Sequence, residues 1–235
     1  MKYSTFSLCC LIFVMGCSTN NDVAVTQTGN PTQVSLMIKA DTSGATQGVS
    51  LPKRTVTGIT IESAYIVVKK VEMEPVDGTE IVLFQGQNPY IVELLPDGGS
   101  GLVDTTHVNG VNTYESVEVE FGPFSVLDST VQLPDTLLKT NSVLVRGYVN
   151  SNPLDSFVFA SNIAGDFEFP LDSALMIADS TGANILVSLK VYEWFTDSVG
   201  NTLDPRDVAN RSSIEENLLG SVSVSEHEGD FESDE

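Results

Sequence analysis

The feature that most constrains this chain is an apolar pattern of period two that returns in segment after segment between residues 34 and 195. Such alternation puts apolar side chains on one face of a strand, whereas a helix repeats every three to four residues. Turn-forming residues such as Asp77-Gly78 and Asn109-Gly110 separate several of the segments. The pattern predicts an all-β fold, an antiparallel β-sandwich of about eight or nine strands, with a closed barrel as the alternative. The segments are VSLMIKA, GITIESAYIVVKKVEMEP, EIVLF, YIVELL, YESVEVEF, SVLVRGYV, SFVFA, DFEFP and NILVSLKVYEWF.

Two of these segments predict which side chains face the core. In residues 114–121 the alternation places Val117, Val119 and Phe121 inside and Ser116, Glu118 and Glu120 in water. In residues 58–75 the alternate positions that start at Ile59 form a second inward-facing set. Ser63 and Lys69 interrupt this set, which indicates a bulge or a sheet edge. That inward set is Ile59, Ile61, Tyr65, Val67, Val71 and Met73.

A short C-terminal helix is predicted after the last strong strand. Asp204-Pro205 offers an N-cap followed by proline, and the Ser and Glu residues within 212–216 offer a second start through a capping box. Ile214 and Leu218 can then pack on a sheet, and Gly220 can end the helix.

The first 16 residues have the layout of a secretory signal, with Lys2 followed by an uncharged run from Phe6 to Met15. This run is about half the roughly 20 residues that a membrane-spanning helix needs. The sequence Val14-Met15-Gly16-Cys17 resembles the lipobox of bacterial lipoproteins, with Met15 where a small residue is usual. The resemblance implies cleavage before Cys17 and lipidation of its thiol. An ordinary secretion signal that contains Cys17 is the alternative.

Lipidation would fix the organisation of the chain: a lipoprotein signal peptide at 1–16, lipidated Cys17 with a flexible tether at 17–33, the sandwich at 34–220, and an acidic tail at 221–235 that is expected to fray. Several acyl chains hold a protein on a membrane where one does not. Ser18 rather than Asp follows Cys17, and resemblance to the sorting rule of enteric bacteria then implies the outer membrane. Because Cys9 and Cys10 would be removed and Cys17 capped, disulfides, cysteine zinc sites and cysteine nucleophiles are not expected.

The charge balance excludes some partners. The chain has 32 acidic and 11 basic side chains and a formal charge of −21, and loss of the signal peptide would remove one lysine and no acid, which gives −22. Such a surface repels nucleic acids and anionic headgroups, so no nucleic-acid partner is expected and the membrane link is the lipid anchor. The balance favours divalent cations or basic partners, and solubility in the envelope is the other interpretation.

The candidate metal site is the loop DSVGNTLDPRD, in which Asp197, Asn201, Asp204 and Asp207 supply the hard oxygen atoms that calcium prefers. The spacing differs from that of an EF-hand, and Asp204 is also explained as a helix cap. Calcium is therefore the candidate ligand of this loop, and no other cofactor is expected.

No catalytic residue is predicted. His107 and His227 are the only histidines, and the sequence puts His107 in a turn-like loop and His227 in the acidic tail. A hydrolase would require His107 to meet a serine, but the chain has no Gly-x-Ser-x-Gly motif. Trp194 and Phe195 end an apolar segment, which favours a core position over stacking on a sugar.

Several of these features together resemble a large uncharacterised family of bacterial lipoproteins with a β-sandwich domain. They are the lipobox, the tether, SLMIKADTSG, NTYESVEVEF and NILVSLKVYEWF with a short helix after it. Asn112 stands where the family has glycine, and asparagine tolerates left-handed backbone better than most residues. The resemblance implies no activity. The expected function is a membrane-anchored envelope lipoprotein acting as a non-enzymatic structural or binding module for an envelope protein or glycan. The alternatives are a surface adhesin or glycan-binding module and, third, a hydrolase.

Overall fold

The protein is an all-β sandwich with one short C-terminal helix, as the sequence predicts. The computed structural model describes residues 32–40, 46–47, 54–56, 58–78, 80–94, 100–108, 112–124, 132–150, 152–177 and 182–227. The predicted signal peptide, Cys17, residues 18–31 of the predicted tether and residues 228–235 lie outside them. Thr32 and Gln33, which were predicted as the end of the tether, belong to the first strand. These parts contain twelve strands, more than the eight or nine expected. The elements are β1 Thr32–Ala40, β2 Thr46–Gln47, β3 Arg54–Val56, β4 Ile59–Pro75, β5 Ile81–Glu93, β6 Ser100–Val108, β7 Asn112–Phe121, β8 Val143–Val149, β9 Ser156–Ser161, β10 Gly165–Ile177, β11 Ala183–Leu189, α1 Arg211–Gly220 and β12 Val222–His227.

The smaller sheet has the order β12-β11-β1-β6. β1 runs antiparallel to β6 but parallel to β11, with Val34 opposite Ala183 and Ala40 opposite Leu189. The expectation of a purely antiparallel sandwich is therefore wrong at this pair. Parallel pairing is possible here because most of the chain lies between β1 and β11, so that no tight hairpin has to join them.

Both edge strands of this sheet differ from the sequence prediction. β6 contains His107, which was placed in a loop, and β12 occupies residues 222–227, which were placed in the fraying tail. An edge strand has a neighbour on one side only, so its apolar pattern is weaker than that of a central strand. β12 nevertheless pairs with β11 over six residue pairs and buries Val224.

The larger sheet is organised around β4, a strand of 17 residues. On one side, its first half pairs with β8, which pairs in turn with β9, and its second half pairs with β7, which pairs with β10. On the other side it pairs with β3 and β5. The sheet forks at Val67, whose N–H donates to the Ser142 carbonyl (2.7 Å) while its carbonyl accepts from the N–H of Gly122 (3.4 Å).

Two bulges decide which side of β4 faces the core. The ladder with β8 shifts between Ile61 and Ser63, and the ladders with β5 and β7 shift between Val68 and Lys70. The predicted interruptions at Ser63 and Lys69 are thus bulges and not a sheet edge. Since one extra residue exchanges the two faces of a strand, Tyr65 and Val67 leave the predicted inward set. The side chains that face the main core are Ile59, Ile61, Ala64, Ile66, Val68, Val71 and Met73.

Most of the core lies between the two sheets. Its largest fully buried side chain is Trp194, whose indole N–H donates to the Ser221 hydroxyl (2.7 Å). A second, smaller cluster lies on the opposite face of the large sheet. It contains Val67, Phe124, Leu138 and Leu144, with Tyr65 packed against them. The segment that contains Leu138 covers this cluster, and an ion pair between Asp135 of that segment and Arg146 of β8 attaches it to the sheet.

The helix begins between the two predicted starts, after Asp204-Pro205 and just before Ser212. Asp207 caps a single 3₁₀ turn, Val208–Asn210, by accepting from the N–H of Ala209 (2.9 Å), and α1 follows directly at Arg211. Asp204 does not cap a helix, because its carboxylate binds Arg206. Ile214 and Leu218 are fully buried and Gly220 ends the helix, as predicted.

Candidate binding surface

The loop that was predicted to bind calcium is held together by its own hydrogen bonds. Asp197 accepts from the backbone N–H groups of Val199 (3.0 Å) and Asn201 (2.7 Å), and from the Asn201 side-chain amide (2.8 Å). These bonds lower the pKa of the Asp197 carboxyl, with the Asn201 side chain as the main cause. Asp197 is therefore a turn-stabilising residue in this structure.

The other members of the predicted calcium set also have donors nearby. Asp204 accepts from the guanidinium of Arg206 at 2.7 Å, which lowers the pKa of the Asp204 carboxyl, while Asp207 caps the 3₁₀ turn. Within the described residues, no three Asp, Glu, His or Cys side chains form a group that could hold a metal ion. The geometry thus gives no support to calcium at Asp197, Asn201, Asp204 and Asp207.

The remaining candidates of the sequence fall in different places. Trp194 and Phe195 are buried in the core, as expected, with the Phe195 ring against Phe157 and Phe159. His107 is exposed on β6, opposite Gln33 of β1. Cys17, the predicted lipidation site, lies outside the described residues.

A surface that the sequence did not reveal lies on the outer side of the large sheet. We call it the acidic face and define it by six carboxylates on the neighbouring strands β4, β7 and β10. Two rows run across these strands, since Glu118 pairs with Glu72 and with Glu168, and Glu120 pairs with Asp166. The acidic face consists of Glu72, Glu74, Glu118, Glu120, Asp166 and Glu168.

Strand alternation explains why these carboxylates share one side. On each strand the intervening residues turn inward: Val71 and Met73 on β4, Val117 and Val119 on β7, and Phe167 on β10 all contact the core. The acidic residues between them must then project outward. Directly opposed like charges destabilise a sheet, so this arrangement lowers the stability of the folded state unless other contacts compensate for it.

Two lysines reduce the repulsion among these carboxylates. Lys69, the bulge residue, forms an ion pair with Glu120 (2.6 Å), and Lys70 forms one with Glu72. Within the described part of the chain the other four carboxylates, of Glu74, Glu118, Asp166 and Glu168, form no salt bridge. Six carboxylates and two lysines leave a local formal charge of about −4, which makes the face a site of strongly negative potential.

Glu118 lies at the centre of the acidic face and shows this potential most clearly. Partial burial raises the pKa of its carboxyl, and the neighbouring Asp166, Glu72 and Glu74 raise it further, against an opposing effect of Lys70. A nearby positive charge would lower that pKa and relieve the repulsion. The arrangement is therefore suited to holding cationic groups.

Ser116 continues the outward-facing column of β7 beside Glu118. The sequence placed it in water, but it is only 2% exposed, opposite Glu74 on β4 and Pro170 on β10. Its hydroxyl has no hydrogen-bond partner among the described residues. A buried hydroxyl without a partner is unfavourable, so hydrogen-bonding capacity remains unused at the border of the acidic face.

No protein-family model matches the chain, and no curated protein matches it significantly. A solved structure, MbnP from Methylosinus trichosporium, is similar with a TM-score of 0.41 and 11% identity, covering 84% of this chain and 98% of that chain. A likeness at this level supports no functional argument. Among the described residues no helix has the length and apolar character to cross a bilayer.

Proposed function

We propose that this protein is an envelope lipoprotein, anchored through a lipid on Cys17, whose β-sandwich is a non-enzymatic binding module. The acidic face is the observation that supports a binding role. Four of its carboxylates form no salt bridge within the described residues, and two of these four, those of Asp166 and Glu168, belong to exposed residues. A surface of this kind attracts basic partners and repels anionic ones, which gives both selectivity and faster association.

The anchor and the charge are compatible with each other. Without its predicted signal peptide the chain has a formal charge of −22 and is repelled by anionic headgroups, so lipid on Cys17 would hold it to the membrane while its surface keeps it away from the bilayer. Residues 18–31, which precede β1, would span roughly 19–22 Å if flexible, which leaves room for a partner beside the domain. We assign the protein to the outer membrane by the Ser18 sorting resemblance.

The anchor is tested by intact mass and membrane fractionation of the native protein beside a Cys17→Ala variant. We expect a diacylglyceryl mass and membrane association for the native protein, and an unprocessed precursor for the variant. An unlipidated, freely secreted native protein would remove the anchor from the proposal and leave a secreted binding module.

The binding role is tested in cells by placing a photo-crosslinking amino acid at position 170, an exposed site on β10 two residues after Glu168, which leaves all six carboxylates in place. The matched control carries it at position 216, an exposed site on α1. We expect position 170 to capture an envelope protein whose contacting segment is basic, and position 216 not to capture it. Identical products at the two positions, or a partner without a basic segment, would argue against binding through the acidic face.

The glycan-binding alternative has no comparable support. Within the described ranges every aromatic side chain is buried or half-buried, whereas stacking on a sugar ring needs an exposed aromatic face. The third alternative, a hydrolase that uses His107, has no observation in its favour either.

A further inference from the structure

We propose that the acidic face binds an extended protein segment with lysine or arginine at alternate positions, lying along the outer side of β7 and β10. This inference rests on the proposed binding function and specifies its partner. It follows from the spacing of the carboxylates, from which of them lack a cation, and from the shape of the surface.

The carboxylates of the acidic face have the same spacing along each strand as alternate side chains of an extended peptide. On β7, Glu118 and Glu120 are two residues apart, and so are Asp166 and Glu168 on β10. Residues two apart on a strand are separated by about 6.6 Å along it, and an extended peptide presents alternate side chains with the same repeat. Successive cations of such a peptide therefore stay aligned with successive carboxylates, which a helix or a compact cation cluster would not achieve.

The pairing between the two strands creates a place for each cation. Glu118 is directly opposite Glu168, and Glu120 is directly opposite Asp166. Opposed side chains on neighbouring strands have Cβ atoms about 4.5–5.5 Å apart, so one ammonium or guanidinium group can contact both carboxylates. Neither Glu118 nor Glu168 forms a salt bridge in the described residues, which makes this pair the principal contact.

Ser116 is an independent indication that a ligand belongs here. It is two residues before Glu118 on the same outward face of β7, and its buried hydroxyl lacks a partner in the described part of the chain. A small polar residue next to the cation of a bound segment can supply that missing hydrogen bond.

The shape of the surface favours a protein segment over a metal ion or a small molecule. Small ligands bind in concave pockets, whereas this face is the outer side of three adjacent strands. The described residues also lack an acidic or histidine group able to hold a metal ion. A peptide spreads its contacts over an open surface and obtains affinity from several charge pairs at once.

The test measures binding of two labelled peptides to the full-length protein by fluorescence anisotropy at low and physiological salt. Both peptides contain the same numbers of lysine and threonine; in one they alternate, and in the other all lysines form one block. We expect the alternating peptide to bind at least about tenfold more tightly. The Glu118→Gln/Glu168→Gln double variant should lose this preference.

The control is a Glu193→Gln/Glu216→Gln double variant, which removes the same charge from exposed positions outside the acidic face. It should bind both peptides as the native protein does. An equal loss in the two double variants would overturn the inference, because it would show only long-range attraction. Equal affinity for the two peptides would overturn it too, but would leave the proposed binding of basic partners intact. No binding of either peptide would remove the acidic face from the proposed function as well.

Discussion

At the scale of single residues, Glu118 shows how binding capacity and stability oppose each other. Its carboxylate has Glu72 opposite on one side and Glu168 opposite on the other. Only Lys70 lowers its raised pKa. The folded state therefore holds the proton of this group more tightly than the unfolded state does.

We predict that Glu118→Gln stabilises the protein at neutral pH by a few tenths to about 1 kcal/mol, the range for opposed charges on neighbouring strands. Because the folded pKa is raised, native stability falls as pH increases from the unfolded value of about 4.3 through the folded one. The variant should lack this fall, so its advantage should vanish at more acidic pH. Urea unfolding at pH 7 and pH 4 measures both effects, and an advantage that persists unchanged at pH 4 would contradict this cause.

Gly147 provides a second prediction at this scale. It lies on β8 opposite Ile61, where β4 bulges, and a Cβ atom there would overlap the carbonyl oxygen of Thr60 and lie 3.1 Å from the Phe157 ring. Backbone cannot give way as a side-chain tip can. Gly147→Ala should therefore cost at least about 1–3 kcal/mol of unfolding free energy.

The matched control for this substitution is Gly220→Ala at the end of α1, where a Cβ would meet nothing within 4 Å. We expect that variant to be neutral or slightly more stable, since alanine is the better helix former. Thermal unfolding of both variants decides the matter, and similar losses in the two would show that the contact at Thr60 does not cause the effect.

At the scale of elements, the apolar alternation predicts the all-β class and the central strands, but it does not predict the edge strands β6 and β12. It was not sufficient for the faces of β4, because the sequence shows an interruption at Ser63 but not that the ladder gains one residue there. Tyr65 and Val67 were assigned to the wrong side for that reason. The acidic face was missed because its carboxylates come from strands distant in sequence, and alternation within a strand does not reveal which strands are neighbours.

β12 supplies a prediction for a whole element. Its pairing with β11 and the burial of Val224 show that the folded domain continues past Gly220. A chain ending at residue 221 would expose one side of β11 and lose that apolar contact, so we expect a marked loss of stability or of soluble protein. A chain ending at residue 227 should keep the native melting temperature. Equal stability of the two truncated forms would show that β12 contributes little.

At the scale of the whole molecule, the charge of −21 predicts a response to salt. Screening shortens the Debye length to about 10 Å at 0.1 M ionic strength, which weakens repulsion among the carboxylates. The melting temperature should rise with added NaCl. The rise should be smaller for Glu118→Gln/Glu168→Gln than for Glu193→Gln/Glu216→Gln, and the same response in the two would place the repulsion over the whole surface instead of on the acidic face.

The position of β1 also bears on mechanical resistance. It is the first described strand after the proposed tether, and it is bonded along its length to β11 on one side and β6 on the other. A pulling force that acts along the strand from its N-terminal end must slide it past both neighbours together, so many hydrogen bonds share the load. A strand at the sheet edge could instead be peeled away one bond at a time. The place where the chain enters the sandwich is therefore one that resists being pulled apart.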